Sequence, residues 1–182
     1  MTKVALMLAN GFEEIEALTV VDVLRRAEIS CDMVGFEATV TGSHGITVQA
    51  DQVFSGSLAD YDVVVLPGGM PGAANLRDNE SLMAELRRFQ EADQHIAAIC
   101  AAPIALANAG VLKDKSFTCY DGIQEQITDG TYQKETVVVD GKLITSRGPA
   151  TALAFSYALV EQLGGDADSL RTAMLYTDVF GQ

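Results

Sequence analysis

The sequence predicts an α/β fold in which helices cover both faces of a mostly parallel sheet. Strand and helix signals alternate along the 182 residues, and several strand candidates are apolar throughout, which is typical of strands that are buried on both faces. With 48% hydrophobic and 20% charged residues, the chain can bury the core that such a sheet needs. No repeat or linker interrupts the pattern, so we predict a single domain over residues 1–182.

The elements of the first half follow from short apolar runs and the turn residues beside them. A segment with acids in its first turn and arginines near its end complements the helix dipole and predicts a helix. The predicted elements are, in order, a strand at Lys3–Ala9, a helix at Glu13–Glu28, a strand at Cys31–Phe36, short strands and turns between Glu37 and Gly56, a strand at Asp62–Leu66 and a helix from Ser81 to Ala92.

The second half continues the alternation and adds a hairpin. The Asp140-Gly141 step between two apolar runs is a strong hairpin signal, and Pro149 suits the first turn of a helix. The predicted elements are a strand at Ile96–Ile99, a helix opened by Cys100–Pro103 and ended by Gly110, a strand at Ser116–Tyr120, hairpin strands at Thr136–Val139 and Leu143–Ser146, a helix from Pro149 towards Leu163 and a short helix over Asp166–Tyr176.

The charge of the chain argues against several classes of partner. Twelve basic and 25 acidic residues give a formal net charge of −13, which repels nucleic-acid duplexes and anionic lipid. No apolar run approaches the roughly 20 residues that a membrane helix needs, and the opening run is too short for a secretory signal. We therefore expect a cytoplasmic protein that binds neither membrane nor nucleic-acid duplex.

The cysteine and histidine pattern predicts free thiols and no bound metal. The three cysteines are widely spaced and form no C-x-x-C pair, so neither a zinc knuckle nor a thioredoxin-type redox pair is expected. The two histidines, His44 and His95, have no second ligand at helical or hairpin spacing. Each thiol is then to be judged as packing or as chemistry.

Cys100 stands where a buried strand becomes a helix. In open parallel sheets, ligands bind beyond the carboxyl ends of the strands, and a sharp turn at that place exposes a nucleophile above the sheet. Unsatisfied amides at a helix start favour a thiolate and predict a lowered thiol pKa. The alternative is that Cys100 is a small apolar residue at the end of a core strand.

Glu16 and two glycines belong to neighbouring loops at the same predicted edge. Glu16 begins an apolar stripe that continues with Val20, Val23 and Ala27, so its carboxyl is predicted to be buried, with a raised pKa suited to proton transfer. The alternative is a first-turn acid, the role that we predict for Glu13 and Glu14 as surface charges. Gly68 and Gly69 follow an apolar strand; they form either a tight turn or a close backbone approach to a ligand oxyanion.

Four segments together resemble the ThiJ/PfpI family, in its branch of the Parkinsonism-associated protein deglycase. They occur in the family's order and cover nearly the whole chain. The segments are GFEEIEA (Gly11–Ala17), VVVLPGGMPGAANL (Val63–Leu76), IAAICAAP (Ile96–Pro103) and LITSRGPATA (Leu143–Ala152). The resemblance implies a flavodoxin-like three-layer α/β sandwich with a cysteine at a nucleophile elbow and, as a rule, a homodimer.

The resemblance also implies site residues and an activity. It places the nucleophile at Cys100, the carboxylic acid at Glu16 and the oxyanion pocket at the backbone amides of Gly69 and Ala101. The implied activities are those of a glutathione-independent glyoxalase and a deglycase that repairs early glyoxal adducts on proteins and nucleotides, together with protection against oxidative stress. No cofactor is implied, and the expected partner is a small dicarbonyl or a glycated substrate.

Two departures from the family pattern refine this expectation. The histidine that some members place near the cysteine aligns with Cys119, beside Tyr120, so proton transfer would rest on Glu16 and water. Cys119 is then either a second thiol facing the pocket or a buried strand cysteine. Ala101 follows Cys100 where the peptidase-like branch has histidine, which argues against a protease and against an amidotransferase triad.

Two further function classes remain for comparison with the enzyme. In the first, Cys100 oxidises as a redox sensor or protective chaperone-like factor, and no substrate turns over. In the second, the fold carries FMN. An FMN carrier must cradle a phosphate in its first loop, and the acidic residues of that loop would repel one.

Overall fold

The computed structural model describes residues 2–181, and its central feature is a seven-stranded sheet. The strands, from one edge to the other, are β10 (Val137–Asp140), β11 (Leu143–Ser146), β7 (His95–Ile99), β6 (Val63–Leu66), β1 (Lys3–Leu8), β2 (Ser30–Gly35) and β5 (Gln52–Val53). All neighbours pair in parallel except β10 and β11. The predicted α/β fold with a mostly parallel sheet is confirmed.

Two small two-stranded sheets and seven α-helices complete the described chain. The antiparallel pair is β3 (Thr39–Thr41) with β4 (Thr47–Gln49), and the parallel pair is β8 (Ser116–Phe117) with β9 (Thr131–Tyr132). The helices are α1 (Glu14–Arg26), α2 (Gly72–Arg77), α3 (Glu80–Glu91), α4 (Pro103–Ala109), α5 (Ala152–Gln162), α6 (Ala167–Ala173) and α7 (Tyr176–Phe180), and single 3-10 turns cover Ile123–Gln126 and Pro149–Thr151.

The sheet lies between two helical layers because successive residues of its strands point to opposite faces. Leu6 and Leu8 of β1 pack in a core with α1 and α5, whereas Ala5 and Met7 of the same strand pack in a second core with α3 and α4. Both sets are fully buried. This explains why the strands read as continuous apolar runs instead of alternating ones.

The strand order directs attention to one edge of the sheet. The centre of the sheet contains five parallel strands, which are β1, β2, β6, β7 and β11 in chain order. Numbered 1 to 5 in that order, they lie side by side as 2-1-3-4-5, which is the flavodoxin-like order. Such sheets bind ligands where the order reverses, beyond the carboxyl ends of the strands. The loops that follow β1, β6 and β7 meet at that edge.

Several element boundaries differ from the prediction for local reasons. The strand predicted at Ser116–Tyr120 stops at Phe117, because the amide of Thr118 donates to the side-chain Oγ1 of Thr145 at 2.9 Å. The last predicted helix, over Asp166–Tyr176, is α6 and ends earlier, at Ala173; Leu175, which has a φ of 60°, separates it from α7, a helix that was not predicted. Helix α2 was not predicted, since its start lacks a side-chain cap.

The hairpin between β10 and β11 is confirmed, with its loop one residue later than predicted. Asp140 pairs with Leu143, so the two-residue loop is Gly141-Lys142. Among residues 2–181, no helix combines the length and the apolar character that crossing a membrane requires.

Candidate active site

Cys100 occupies a sharp backbone turn directly after β7. Its φ is 65°, in the left-handed region that residues with a Cβ rarely adopt, and such strained positions cluster at functional sites. Its amide donates to the Ser146 carbonyl at 3.0 Å, and its own carbonyl accepts from the Tyr120 amide at 2.9 Å. These two bonds hold the turn from both sides, and the side chain is 8% exposed. The geometry is that of a nucleophile elbow.

Glu16 lies in the first turn of α1 and is completely buried. Its Oε2 accepts a hydrogen bond from the Gly68 amide at 2.7 Å. Its Oε1 is buried and accepts no hydrogen bond of standard geometry from residues 2–181. The Cys100 thiol lies close enough to act on the pKa of this carboxyl as a hydrogen-bond donor. The predicted burial of Glu16 ahead of Val20 and Val23, which are also buried, is confirmed.

Gly68 leaves the space in which the acid and the thiol meet. A Cβ at this position would lie 2.6 Å from the Cβ of Cys100 and 2.7 Å from Oε2 of Glu16, closer than real atoms approach. Gly69, with a φ of 86°, brings its backbone against Gly11 and Glu13 in a conformation that favours glycine. Both glycines therefore allow close packing against neighbouring protein atoms, and their approach to a ligand oxyanion stays a prediction.

Burial makes the Glu16 carboxyl a weaker acid than an exposed one. It raises the pKa of the carboxyl from its ordinary value of 4.5 to about 7. Hydrogen bonds from Cys100 and Gly68 act in the opposite direction, and the charge of Glu13 adds to the rise. Near neutral pH this carboxyl both gains and loses a proton readily, which is what a general acid and base requires.

The Cys100 thiol does not have the lowered pKa that we predicted from a helix start. Its pKa is raised, because burial dominates and because the Glu16 carboxylate repels a thiolate and accepts the thiol's hydrogen bond. The amides of Gly69 and Ala101 bond to the sulfur and act in the opposite direction. Helix α4 begins only at Pro103. The thiol and the carboxyl thus titrate as a pair, and protonating one favours ionising the other.

The acids that precede Glu16 are not the surface charges that we predicted. Glu13 is 7% exposed and caps α1, since its Oε2 accepts from the Glu16 amide at 2.9 Å. Glu14 is 4% exposed, and its Oε1 accepts from the amides of His44 and Ile46 at 2.7 and 3.3 Å. The sequence carried a signal for the cap, because a Glu at N3 commonly follows a capping residue. It carried none for the long-range bonds of Glu14.

The remaining cysteines lie outside this arrangement. Cys119 is fully buried in the core between the sheet and α3 and α4, whereas Cys100 belongs to the core on the side of α1 and α5. Burial raises the pKa of Cys119 to about 11 and that of Cys31 to about 12. Cys119 is therefore a buried core cysteine, but it lies after the end of β8 and not within the strand that we predicted.

Comparison with known proteins places this geometry among relatives. Residues 2–162 match the model of the DJ-1/PfpI family. The protein dj-1beta of Drosophila melanogaster is 43% identical over 172 residues, which are 91% of each chain. The deglycase PH1704 of Pyrococcus horikoshii is 32% identical over 88% of this chain and 99% of its own. A solved structure of oxidized DJ-1 from Toxoplasma gondii superposes with a TM-score of 0.91 at 34% identity, over 96% of this chain and 98% of that one.

Proposed function

This chain belongs to the DJ-1/PfpI family, and from that membership and the site geometry we propose that it is a glutathione-independent glyoxalase and deglycase. Its substrates would be methylglyoxal, glyoxal and their early adducts on proteins and nucleotides. The observation that carries the proposal is the pairing of a buried, proton-exchanging Glu16 with Cys100 on a strained turn. A deglycase among the relatives supports the same class of reaction.

The first step would be addition of the Cys100 sulfur to the aldehyde carbon. With the proton of the pair on Glu16, the sulfur is a thiolate, and it forms a C–S bond to give a hemithioacetal. The aldehyde oxygen becomes an oxyanion beside the amides of Gly69 and Ala101, which bond to the sulfur in the free protein. Backbone donors fixed in advance stabilise that charge without reorganisation. Glu16 then gives its proton to the oxygen.

The second step would be a proton shift within the bound substrate. The Glu16 carboxylate removes the proton from the carbon attached to sulfur and returns it to the neighbouring carbonyl carbon, while the hydroxyl proton moves from one oxygen to the other. The product is a 2-hydroxyacyl thioester, and no external oxidant or reductant is needed. A carboxyl whose pKa is about 7 suits both the removal and the return of the proton.

Hydrolysis would complete the cycle. Water adds to the thioester carbonyl, the C–S bond breaks, and the 2-hydroxy acid leaves with Cys100 regenerated. For methylglyoxal the net reaction is addition of one water to give lactate. For a glycated side chain or base, the thiolate forms a C–S bond to the carbon that carries the nitrogen, the C–N bond breaks, and Glu16 gives its proton to the departing amine or amide nitrogen. The same later steps follow.

The proposal is tested by lactate formation from methylglyoxal, without glutathione, at matched concentrations of the wild type and Cys100→Ser. We expect turnover by the wild type and none above the buffer rate by the variant. Equal rates would exclude Cys100 as the nucleophile. A wild type that forms at most one lactate per chain would exclude an enzyme and leave the redox alternative.

The second candidate is an oxidative-stress sensor or chaperone-like protective protein that uses the same thiol. It is favoured by the solved structure of a relative, DJ-1 of Toxoplasma gondii, in an oxidized form. In this case peroxide would supply oxygen to the Cys100 sulfur, one water leaving for each oxygen added, and protection would be independent of turnover. We further propose a homodimer, which the family resemblance implies, and a cytoplasmic protein that needs no cofactor.

A further inference from the structure

We propose that Glu13, Glu14 and His44 form a binding site for a divalent transition-metal cation of the Zn²⁺ type. The cation would bind between Oε1 of Glu13, Oε2 of Glu14 and Nδ1 of His44, with water at the fourth position. None of the steps proposed above uses these three side chains as reacting groups, so this site stands independently of the proposed activity.

The spacing of the three ligand atoms fits a tetrahedral ion. All three lie within 4.8 Å of one another. The His44 Nδ1 is 3.1 Å from Oε2 of Glu14 and 3.8 Å from Oε1 of Glu13. Zinc bonds of about 2.0–2.1 Å to nitrogen and oxygen place neighbouring ligands of a tetrahedron about 3.3 Å apart. The two separations that involve His44 lie on either side of that value.

The other oxygen of each carboxylate is already held, which fixes the ligands in advance. Oε2 of Glu13 accepts from the Glu16 amide, and Oε1 of Glu14 accepts from the amides of His44 and Ile46. Bonds to the non-ligating oxygen orient carboxylate ligands in known metal sites. The Ser43 hydroxyl instead contacts two of the ligand atoms, Oε2 of Glu14 at 3.5 Å and Nδ1 of His44 at 3.1 Å, and an ion would replace these contacts.

The oxygen that faces the site from Glu13 has only a long contact, with Nδ1 of His44 at 3.8 Å. The Glu13 side chain is 10% exposed, and within residues 2–181 no donor forms a hydrogen bond to its Oε1. In the same described part of the chain, His44 is the one basic side chain within 4 Å of either carboxylate. Two buried carboxylates beside a single exposed imidazole therefore leave negative charge that a cation would balance.

The ligand types select among cations. Imidazole and carboxylate suit zinc and neighbouring transition metals, whereas Ca²⁺ and Mg²⁺ prefer oxygen ligands alone. His44 is 73% exposed at its side chain, so water can reach the fourth position. The sequence did not predict this site because its ligands are 30 residues apart, and a search at helical and hairpin spacings does not include them.

The experiment is a titration of the full-length protein with Zn²⁺, followed by calorimetry, and with Co²⁺, followed by its visible spectrum. We expect one ion per chain and a spectrum without the intense sulfur-to-metal band that thiolate ligands give. His44→Ala removes a largely exposed side chain, and Glu13→Gln keeps the acceptor that caps α1. Each should weaken Zn²⁺ binding by at least about tenfold. The matched control, His95→Ala, removes the other histidine and should leave the affinity unchanged.

Three results would overturn the proposal. One is an absence of Zn²⁺ binding by the wild type up to about 1 mM, the weak end of specific association. Another is an affinity that His44→Ala and Glu13→Gln leave unchanged while circular dichroism shows that both variants are folded. The third is a thiolate band in the Co²⁺ complex, which would assign the bound ion to a cysteine.

Discussion

The carboxyl of Glu16 and the backbone amide of Gly68 are joined by a 2.7 Å hydrogen bond between residues that lie 52 positions apart. A second hydrogen bond joins the loop after β6 to the start of α1, because the Glu13 amide donates to the Gly68 carbonyl at 2.9 Å. Helix α1 and the loop after β6 therefore form one rigid unit around the acid. The bond occupies Oε2, whereas Oε1 is buried and accepts no hydrogen bond within residues 2–181.

Gly68→Ala should separate the acid from the thiol. The added Cβ would lie 2.6 Å from the Cys100 Cβ and 2.7 Å from the Glu16 carboxyl, so one of them must move. A misplacement of about 1 Å costs on the order of 100-fold in rate, and we expect methylglyoxal turnover to fall by that factor. Gly164→Ala is the control, since its left-handed backbone is strained but no atom lies within 4 Å. Wild-type rates in Gly68→Ala would show that this contact does not matter.

The raised pKa of Glu16 predicts a pH-dependent stability. The carboxyl holds its proton up to about pH 7 in the folded chain but only to its ordinary 4.5 when unfolded. The folded state is therefore favoured below pH 4.5 and loses this advantage as the pH rises towards 7. Relative to Glu16→Gln, the wild type should lose on the order of 3 kcal/mol over that window. Urea unfolding of both proteins at several pH values measures the difference, and a difference independent of pH would contradict the shift.

Mild peroxide should oxidise Cys100 first. It is 8% exposed, whereas Cys31 is 3% and Cys119 0% exposed, and it alone has a carboxyl that can take its proton. A protonated Glu16 can donate to the oxidised sulfur, which favours a sulfinate. Peptide mass spectrometry should find two added oxygens on Cys100. The Cys100→Ser protein should take up no oxygen under the same conditions. Oxidation of Cys119 before Cys100 would instead place the redox site at Cys119.

A homodimer is expected from the family resemblance. Light scattering at micromolar concentration should give the mass of two 182-residue chains. Dilution should not change that mass over the range in which the protein is active. The mass of one chain would show that the resemblance does not extend to assembly.

Local patterns were sufficient to predict the parallel strands of the sheet and the burial of Glu16. The apolar runs around Leu6, Val64 and Ala97 identified three parallel strands, and the segments that follow these strands carry Glu16, Gly68 and Cys100. Short-range rules succeeded here because burial on both faces leaves a continuous apolar signal. The stripe from Glu16 through Val20 and Val23 likewise fixed the direction of the carboxyl.

The direction of the Cys100 pKa shift and the role of Glu14 could not be predicted from local sequence patterns. The thiol's acidity depends on the balance between burial, a carboxyl from another element and the Gly69 amide from a third, and no pattern within a segment reports that balance. The bonds from Glu14 to the loop at His44 and Ile46 also join distant segments. Both features arise from tertiary contacts, so a single sequence contains no local signal for them.

The reaction of Glu16→Gln tests the central claim, that this carboxyl moves protons for the Cys100 nucleophile. Glutamine keeps a polar group beside the sulfur and removes both the negative charge and the transferable proton. Glu125→Gln, at an exposed position, is the matched control, and it should leave both rates unchanged.

Iodoacetamide alkylation of Cys100 and lactate formation from methylglyoxal should be measured on the same preparations of Glu16→Gln and the wild type. The account predicts that alkylation stays within about tenfold of the wild type, while lactate formation falls by about 100-fold or more, the scale of one general acid–base group. Wild-type lactate formation by Glu16→Gln would contradict it and reduce Glu16 to a buried helix-start acid.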